Sequence, residues 1–257
     1  MAHGDATGIV SSHARSGFRA QPRRASVSPD YGSPVFAQLR DASADAWQGH
    51  VTHEFVRQLG DGSLHRGAFV HYLRQDYVFL FHFSRAWALA VVKSESLKEM
   101  ELAAGTVHAL VNEEMQLHVK TCAAEGISAE ALFATEEAPE NLAYTRFVMD
   151  TGLSGDLLDL LVALVPCVIG YGEIGRHLAG TAKVDQAHPY RNWIDTYSGD
   201  EYQATCRQVG ALLERCAAAR IGPALVSSPR WPRLVQRFRA ACLLEQNFWS
   251  MGLRGGY

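Results

Sequence analysis

Three side chains of this sequence have the character of reacting groups and sit where an apolar core is expected: Cys167, Asp76 and Glu245. Cys167 follows Pro166 inside the run Leu157–Leu178, whose first thirteen residues carry a single charge, Asp159. A thiol that can lose its proton is a strong nucleophile. Tyr171 lies one helical turn on, on the same face. Gly170, Gly172 and Gly175 leave room for another group to approach closely. Taken alone, a buried cysteine in a core helix is the plainer reading of this stretch. Asp76 falls among Tyr72, Phe79 and Phe83. A carboxylate there must find a partner, because burying it unpaired costs several kcal/mol. The partner is either a cation from Arg74, Arg85 or Lys93, or an N–H group of a ligand. Glu245 has Ala241, Cys242, Phe248 and Trp249 one turn away. Burial would raise its pKa and suit it to acid–base work; a solvated position at the edge of the stripe is the alternative.

Two further pairs invite a test for metal. Glu114 with His118, and Glu173 with His177, stand four residues apart. Such pairs on facing helices can hold two ions, but the usual bridged spacing is Glu-x-x-His, so a local ion pair or hydrogen bond fits better. Tyr144 and Tyr197 lie near helix ends, and their spacing alone does not separate packing from ligand contact.

The elements that must hold these residues are helices. The central run is apolar on every side, so it is expected to be buried on every side. At thirteen residues it is too short to cross a bilayer. Pro166 removes one backbone donor and is expected to kink it beside Cys167. Positions 69, 72, 73, 76, 79, 80 and 83 form one stripe of helical period, which predicts a long helix over about 65–92. Other predicted helices cover 34–59 with a break near Gly49, 97–125, 141–151, 190–198, 200–220 and 233–252. No segment shows sustained period-two alternation, so the fold class is all-α, a single bundle of packed helices.

The chain has 257 residues, 47% apolar and 20% charged, with formal net charge −3. That balance suits one globular domain and leaves no electrostatic footprint for nucleic acid. No window reads as a membrane-spanning helix. The five cysteines are scattered and form no CxxC pair, which points to free thiols in a reducing, cytoplasmic setting. Residues 1–33 are Ser-, Ala-, Gly- and Arg-rich without apolar periodicity and are expected to be a disordered extension; the domain is expected over 34–257. Arg23-Arg24 has no apolar segment after it and does not read as a secretory signal.

Eight blocks in order give the chain a resemblance to the TenA/thiaminase II family, over residues 34–252. They are His53-x-Phe55-Val56, Gly60-Asp61-Gly62-Ser63-Leu64, Phe69-x2-Tyr72-x2-Gln75-Asp76-Tyr77, Glu114-x3-His118, Tyr144-Thr145, Leu164-Val165-Pro166-Cys167-x3-Tyr171-x-Glu173, Trp193-Ile194-x2-Tyr197 and Glu245-x2-Phe248-Trp249. The resemblance implies a haem-oxygenase-like multi-helix bundle, assembled as a homotetramer, with no haem, metal or other cofactor and no nucleic-acid or membrane partner. It implies hydrolysis of the exocyclic C–N bond of 4-amino-5-aminomethyl-2-methylpyrimidine to hydroxymethylpyrimidine and ammonia in thiamine salvage, with thiamine cleaved more slowly. Carried over by position, Cys167 looks like the nucleophile and Glu245 like the acid–base. Asp76 looks like the carboxylate on the aminopyrimidine edge, and Phe79, Tyr144, Tyr171 and Tyr197 like the lining. Glu173 and His118 look like supports behind them. Cys167 is similar to the cysteine of the family's Cys-bearing branch. Glu54 stands where many members have Pro. Phe79 stands where many have Tyr, which keeps stacking and loses a hydroxyl contact. Two other readings use the same residues: a metal-dependent oxygenase built on Glu114, His118, Glu173 and His177, and a non-catalytic pyrimidine-binding protein.

Overall fold

The structure is a computed structural model that describes residues 29–181 and 187–255. Among the described residues every regular element is a helix. The segment predicted over 34–59 is three short helices, α1 (Pro34–Ala42), α2 (Ala44–Val51) and α3 (Glu54–Asp61). Ser33 starts the first: its hydroxyl accepts from Phe36 N at 3.1 Å, and Pro34 occupies the first turn, where no donor is needed. The break predicted near Gly49 falls at Thr52–His53, not at the glycine itself. Gly49 stays inside α2 because a Cβ there would lie 2.6 Å from Gln246 Nε2, so glycine serves close packing. Gly62, at φ 78°, does end α3 in the left-handed conformation open to glycine.

The long α4 (Arg66–Lys93) follows the apolar stripe. The stretch predicted as one helix over 97–125 is α5 (Leu97–Ala109), a π-turn (Leu110–Glu114) and α6 (Met115–Ala124). After α6 comes α7 (Ala129–Phe133), a short element without a periodic signal, started by Ser128 Oγ accepting from Ala131 N at 3.1 Å. Then follow α8 (Pro139–Ser154), α9 (Leu157–Thr181), α10 (Arg191–Ser198), α11 (Asp200–Arg220) and α12 (Trp231–Arg254).

Helix α9 is the axis of the bundle. It packs against α2, α4, α8, α10, α11 and α12, and Leu157 to Val165 are all buried. The sequence reading that no window could cross a bilayer is corrected here. Leu157–Gly180 is long enough and holds an apolar 18-residue window, with mean hydropathy 1.9, but 94% of that window is buried inside the protein. Its one early charge, Asp159, is matched: Arg237 bonds one carboxylate oxygen and Arg230 the other, the latter at 3.0 Å. A buried acid is tolerable when paired in this way.

The glycines of α9 do what their spacing implied. A Cβ at Gly170 would lie 2.1 Å from His50 Nε2, at Gly172 2.5 Å from Cys206 Sγ, and at Gly175 2.5 Å from the Tyr197 backbone. His50 is fully buried and accepts from Trp249 Nε1 through Nδ1 at 3.0 Å. Its Nε2–H therefore donates to the Pro166 carbonyl, 3.3 Å away. This bond ties α2 and α12 to the turn that presents Cys167. The chain remains helical through Pro166.

The expectation of a disordered extension lies outside the described residues for 1–28. Residues 29–33, assigned to that extension, belong to the packed fold: Tyr31 is buried against Phe36, and Ser33 Oγ donates to Glu214 at 3.1 Å.

Candidate active site

Helices α4, α9 and α12 bring the three candidate side chains Asp76, Cys167 and Glu245 to one place, with α8 behind and α10 at the side. Cys167 is the one cysteine of the five that is partly exposed. It opens on a cavity of about 330 Å³, together with Asp76, Phe79, Tyr171 and Tyr197. Five of the seven residues predicted for the site therefore share one wall. Glu245 and Tyr144 stand behind that wall. Glu245 is 1% exposed, the Cys167 thiol donates to its carboxyl, and Tyr144 Oη donates to Oε1 at 2.8 Å. Tyr144 thus holds the carboxyl that holds the thiol. Its ring also packs on Phe79 at 5.1 Å.

Asp76 finds none of the cations suggested by the sequence. Tyr72 Oη lies 3.4 Å from its Oδ2 and His118 Nδ1 lies 3.6 Å away. His118 Nε2–H donates to the Leu73 carbonyl at 2.6 Å, so Nδ1 turns its lone pair to the carboxyl. Burial holds His118 below the usual imidazole range and pushes Asp76 up to about 7. The neutral pair, with the proton on Asp76, is the form this environment favours. His118 therefore supports Asp76 and is not paired with Glu114.

Burial also pushes Glu245 up to about 8, opposed by the hydrogen bond from Tyr144. The Cys167 thiol is pushed well above its ordinary value, first by burial and then by the neighbouring Glu245, Asp76 and Glu114 carboxyls. At rest the sulfur keeps its proton. It needs a base to react, and the group touching it is Glu245.

The walls are aromatic. Tyr171 meets Tyr197 edge-on at 5.0 Å and stacks on Trp249 at 5.1 Å, while Phe79 stacks on Phe83 at 5.3 Å. Such a slot, apolar on its faces with carboxyls at its edge, suits a flat, nitrogen-rich ring. The sequence reading missed Tyr202, which lines the cavity while its hydroxyl donates to the Val168 carbonyl at 3.2 Å. A single tyrosine near the start of α11 gives no signal of this.

The sequence reading pairs Glu114 with His118; the structure places Glu114 on the cavity instead. This residue lines the cavity and an adjoining one of about 550 Å³, and Asp76 and Tyr197 line both as well. The second cavity is walled by Phe69, Tyr72, His118 and Trp193. The two Glu/His pairs do not come together. Glu173 accepts from Trp47 Nε1 at 3.2 Å, and among the described residues no group of three or more His, Cys, Asp and Glu side chains could hold an ion.

Comparison with known proteins gives the same picture at the level of ancestry. Residues 40–255 match the model of the TENA/THI-4/PQQC family. A protein of Halalkalibacterium halodurans described as an aminopyrimidine aminohydrolase is 34% identical over 84% of this chain and 93% of its own. A solved structure from Silicibacter sp. TM1040, described as a TenA family transcription regulator, is 57% identical with TM-score 0.84, covering 87% of this chain and 98% of that one. A Shewanella denitrificans domain with a haem-oxygenase-like fold, 13% identical, superposes with TM-score 0.64 over 85% of this chain and 91% of its own, and it shares the fold alone. With a family match over most of its length, and a thiol, two carboxyls and an aromatic slot meeting on the helices of that fold, this chain belongs to the TENA/THI-4/PQQC family.

Proposed function

We propose that this protein hydrolyses the exocyclic C–N bond of an aminopyrimidine, with 4-amino-5-aminomethyl-2-methylpyrimidine as substrate and hydroxymethylpyrimidine and ammonia as products. The observation that carries this reading is the Cys167 thiol on the cavity wall, hydrogen-bonded from behind by Glu245, with the Asp76 carboxyl on the same cavity. The name of the Halalkalibacterium relative supports it.

A protonated Asp76 presents one donor and one acceptor. These complement the ring nitrogen, which accepts, and the adjacent amino group, which donates. Oriented in this way, the ring sets an electron-poor carbon against the sulfur. The S–C bond forms as the thiol proton passes to the Glu245 carboxylate. The displaced π pair collects on the ring nitrogen beside Asp76, which takes the Asp76 proton. The ring then expels the amine from the exocyclic methylene carbon: the C–N bond breaks, ammonia leaves with the electron pair and the proton held by Glu245, and the ring nitrogen returns its proton to Asp76. Water adds to the methylene carbon, the S–C bond breaks, and the ring and the Cys167 S–H are restored.

An ammonia-release assay on aminomethylpyrimidine, beside a thiamine-cleavage assay, tests the reading. Cys167→Ala is expected to abolish release with the helical circular-dichroism spectrum intact, and near-normal turnover would remove the nucleophile assignment. Thiamine is expected to be cleaved more slowly than aminomethylpyrimidine. A role in thiamine salvage in the cytoplasm and a homotetrameric assembly belong to the same proposal. Five unpaired thiols suit a reducing compartment, and light scattering on the purified protein reads the assembly directly.

A further inference from the structure

The cavity that holds Cys167 and its larger neighbour have Asp76, Glu114 and Tyr197 in common. Glu114 reaches that junction by an unusual route. It is the last residue of the π-turn Leu110–Glu114. A π-turn carries one residue more than an α-turn, so it rotates everything beyond it by about 100° relative to an uninterrupted helix. π-turns of this kind recur at functional sites. The carboxyl so delivered makes no hydrogen bond or ion pair among the described residues; burial and the nearby Asp76 are what act on it. Asp76 is engaged by Tyr72 and His118, whereas Glu114 is left facing the cavity.

Its neighbours decide what it meets. Glu114 lines both cavities with Asp76, whereas Glu245 lines neither, so Glu114 stands on the cavity side with the carboxyl that grips the amino edge of the ring. A primary ring amine has two N–H bonds. A single carboxyl on the ring edge takes the one beside the ring nitrogen and leaves the other without an acceptor. An N–H buried there without an acceptor costs as much as a lost hydrogen bond. We propose that Glu114 is a specificity-determining residue, the second acceptor for the exocyclic ring amine, taking the N–H that Asp76 does not take. This rests on the aminopyrimidine reading of the site. It makes the pair of carboxyls a reader of an NH2 group: a ring with oxygen there would set lone pairs against both, and a ring with hydrogen there would leave both unused.

Calorimetric titration with two probes tests this: hydroxymethylpyrimidine bearing the 4-amino group, and the same compound lacking it. Wild type is expected to prefer the amino compound strongly. Glu114→Ala is expected to reduce that preference roughly tenfold or more, as for loss of a hydrogen bond to a charged group, while affinity for the compound lacking the amine stays as in wild type. Glu114→Gln, which keeps one acceptor oxygen, is expected to retain part of the preference. Equal weakening of both compounds in Glu114→Ala would mean a merely structural role and would overturn the assignment, as would an unchanged preference or a wild type that binds the two equally. Absence of ammonia release with the binding preference intact would remove the hydrolase reading and leave this one standing.

Discussion

Replacing Glu245 by Gln keeps the shape of the side chain and an acceptor oxygen for Tyr144, and removes the proton equilibrium. Its carboxyl is lifted from 4.5 to about 8 by burial. A carboxyl whose folded value is raised prefers its protonated form in the fold. The stability it contributes is full below about 4.5, falls as pH rises, and is gone once pH passes about 8. Between pH 6.5 and 8 this one group should lower the unfolding free energy by ~1.5 kcal/mol. Asp76 and Glu114, each raised to about 7, move in the same direction. Together they add about as much again over that window. These three carboxyls should therefore cost wild type ~3 kcal/mol and Glu245→Gln about half of that. The histidines buried neutral, such as His50 with its pKa near 3, act with the opposite sign; about half of the unfolded imidazoles are still protonated at pH 6.5, so they offset part of this loss, equally in both proteins. Urea unfolding followed by circular dichroism at closely spaced pH values reads the slope. A wild type whose stability is flat or rising over this window, or a Glu245→Gln protein with the wild-type slope, would refute the burial argument.

Three other outcomes are expected. Iodoacetamide on the native protein should alkylate Cys167 ahead of Cys122, Cys206, Cys216 and Cys242, because it alone is partly exposed, and slowly at pH 7, because its thiol is held protonated; peptide mass spectrometry identifies the site. Gly170→Ala drives a methyl group into His50 and should cost about 2–4 kcal/mol through overpacking and loss of the buried bond to Pro166, measured by urea unfolding. Tyr144→Phe should preserve substrate affinity while lowering kcat, since its hydroxyl holds Glu245 behind the cavity wall; a change confined to KM would mean that Tyr144 meets substrate directly.

The long helices were legible because their apolar stripes are long. Phe69 to Phe83 in α4 and the unbroken run in α9 leave few alternatives to helix. Asp76 and Cys167 were legible as anomalies, a charge on an aromatic stripe and a thiol beside a proline. Their partners were not. Asp76 answers to His118 and Tyr72, and His118 lies 42 residues away on another helix. Glu114 and His118 look like a local pair at α-helical spacing, yet His118 faces Asp76 while Glu114 is left to the cavity. Periodicity assumes one constant pitch and cannot register the π-turn that separates helix α5 from α6. Gly49 is not itself the break for a related reason: the sequence shows a missing side chain, not the Gln246 amide that fills its place.

The depth of helix α9 also bears on how this chain is made. Its covering helices α10, α11 and α12 all follow it in sequence. At ordinary synthesis rates the ribosome takes roughly 4–15 s to add the residues from the end of α9 to the end of α12. Throughout that interval the nascent chain carries a helix apolar enough to be taken for a membrane span, with half of its shelter not yet translated. Stop codons or proteolytic cuts downstream of this segment should yield aggregates or rapid degradation rather than a smaller folded core, and chaperones that shield apolar chain should raise the yield of folded protein.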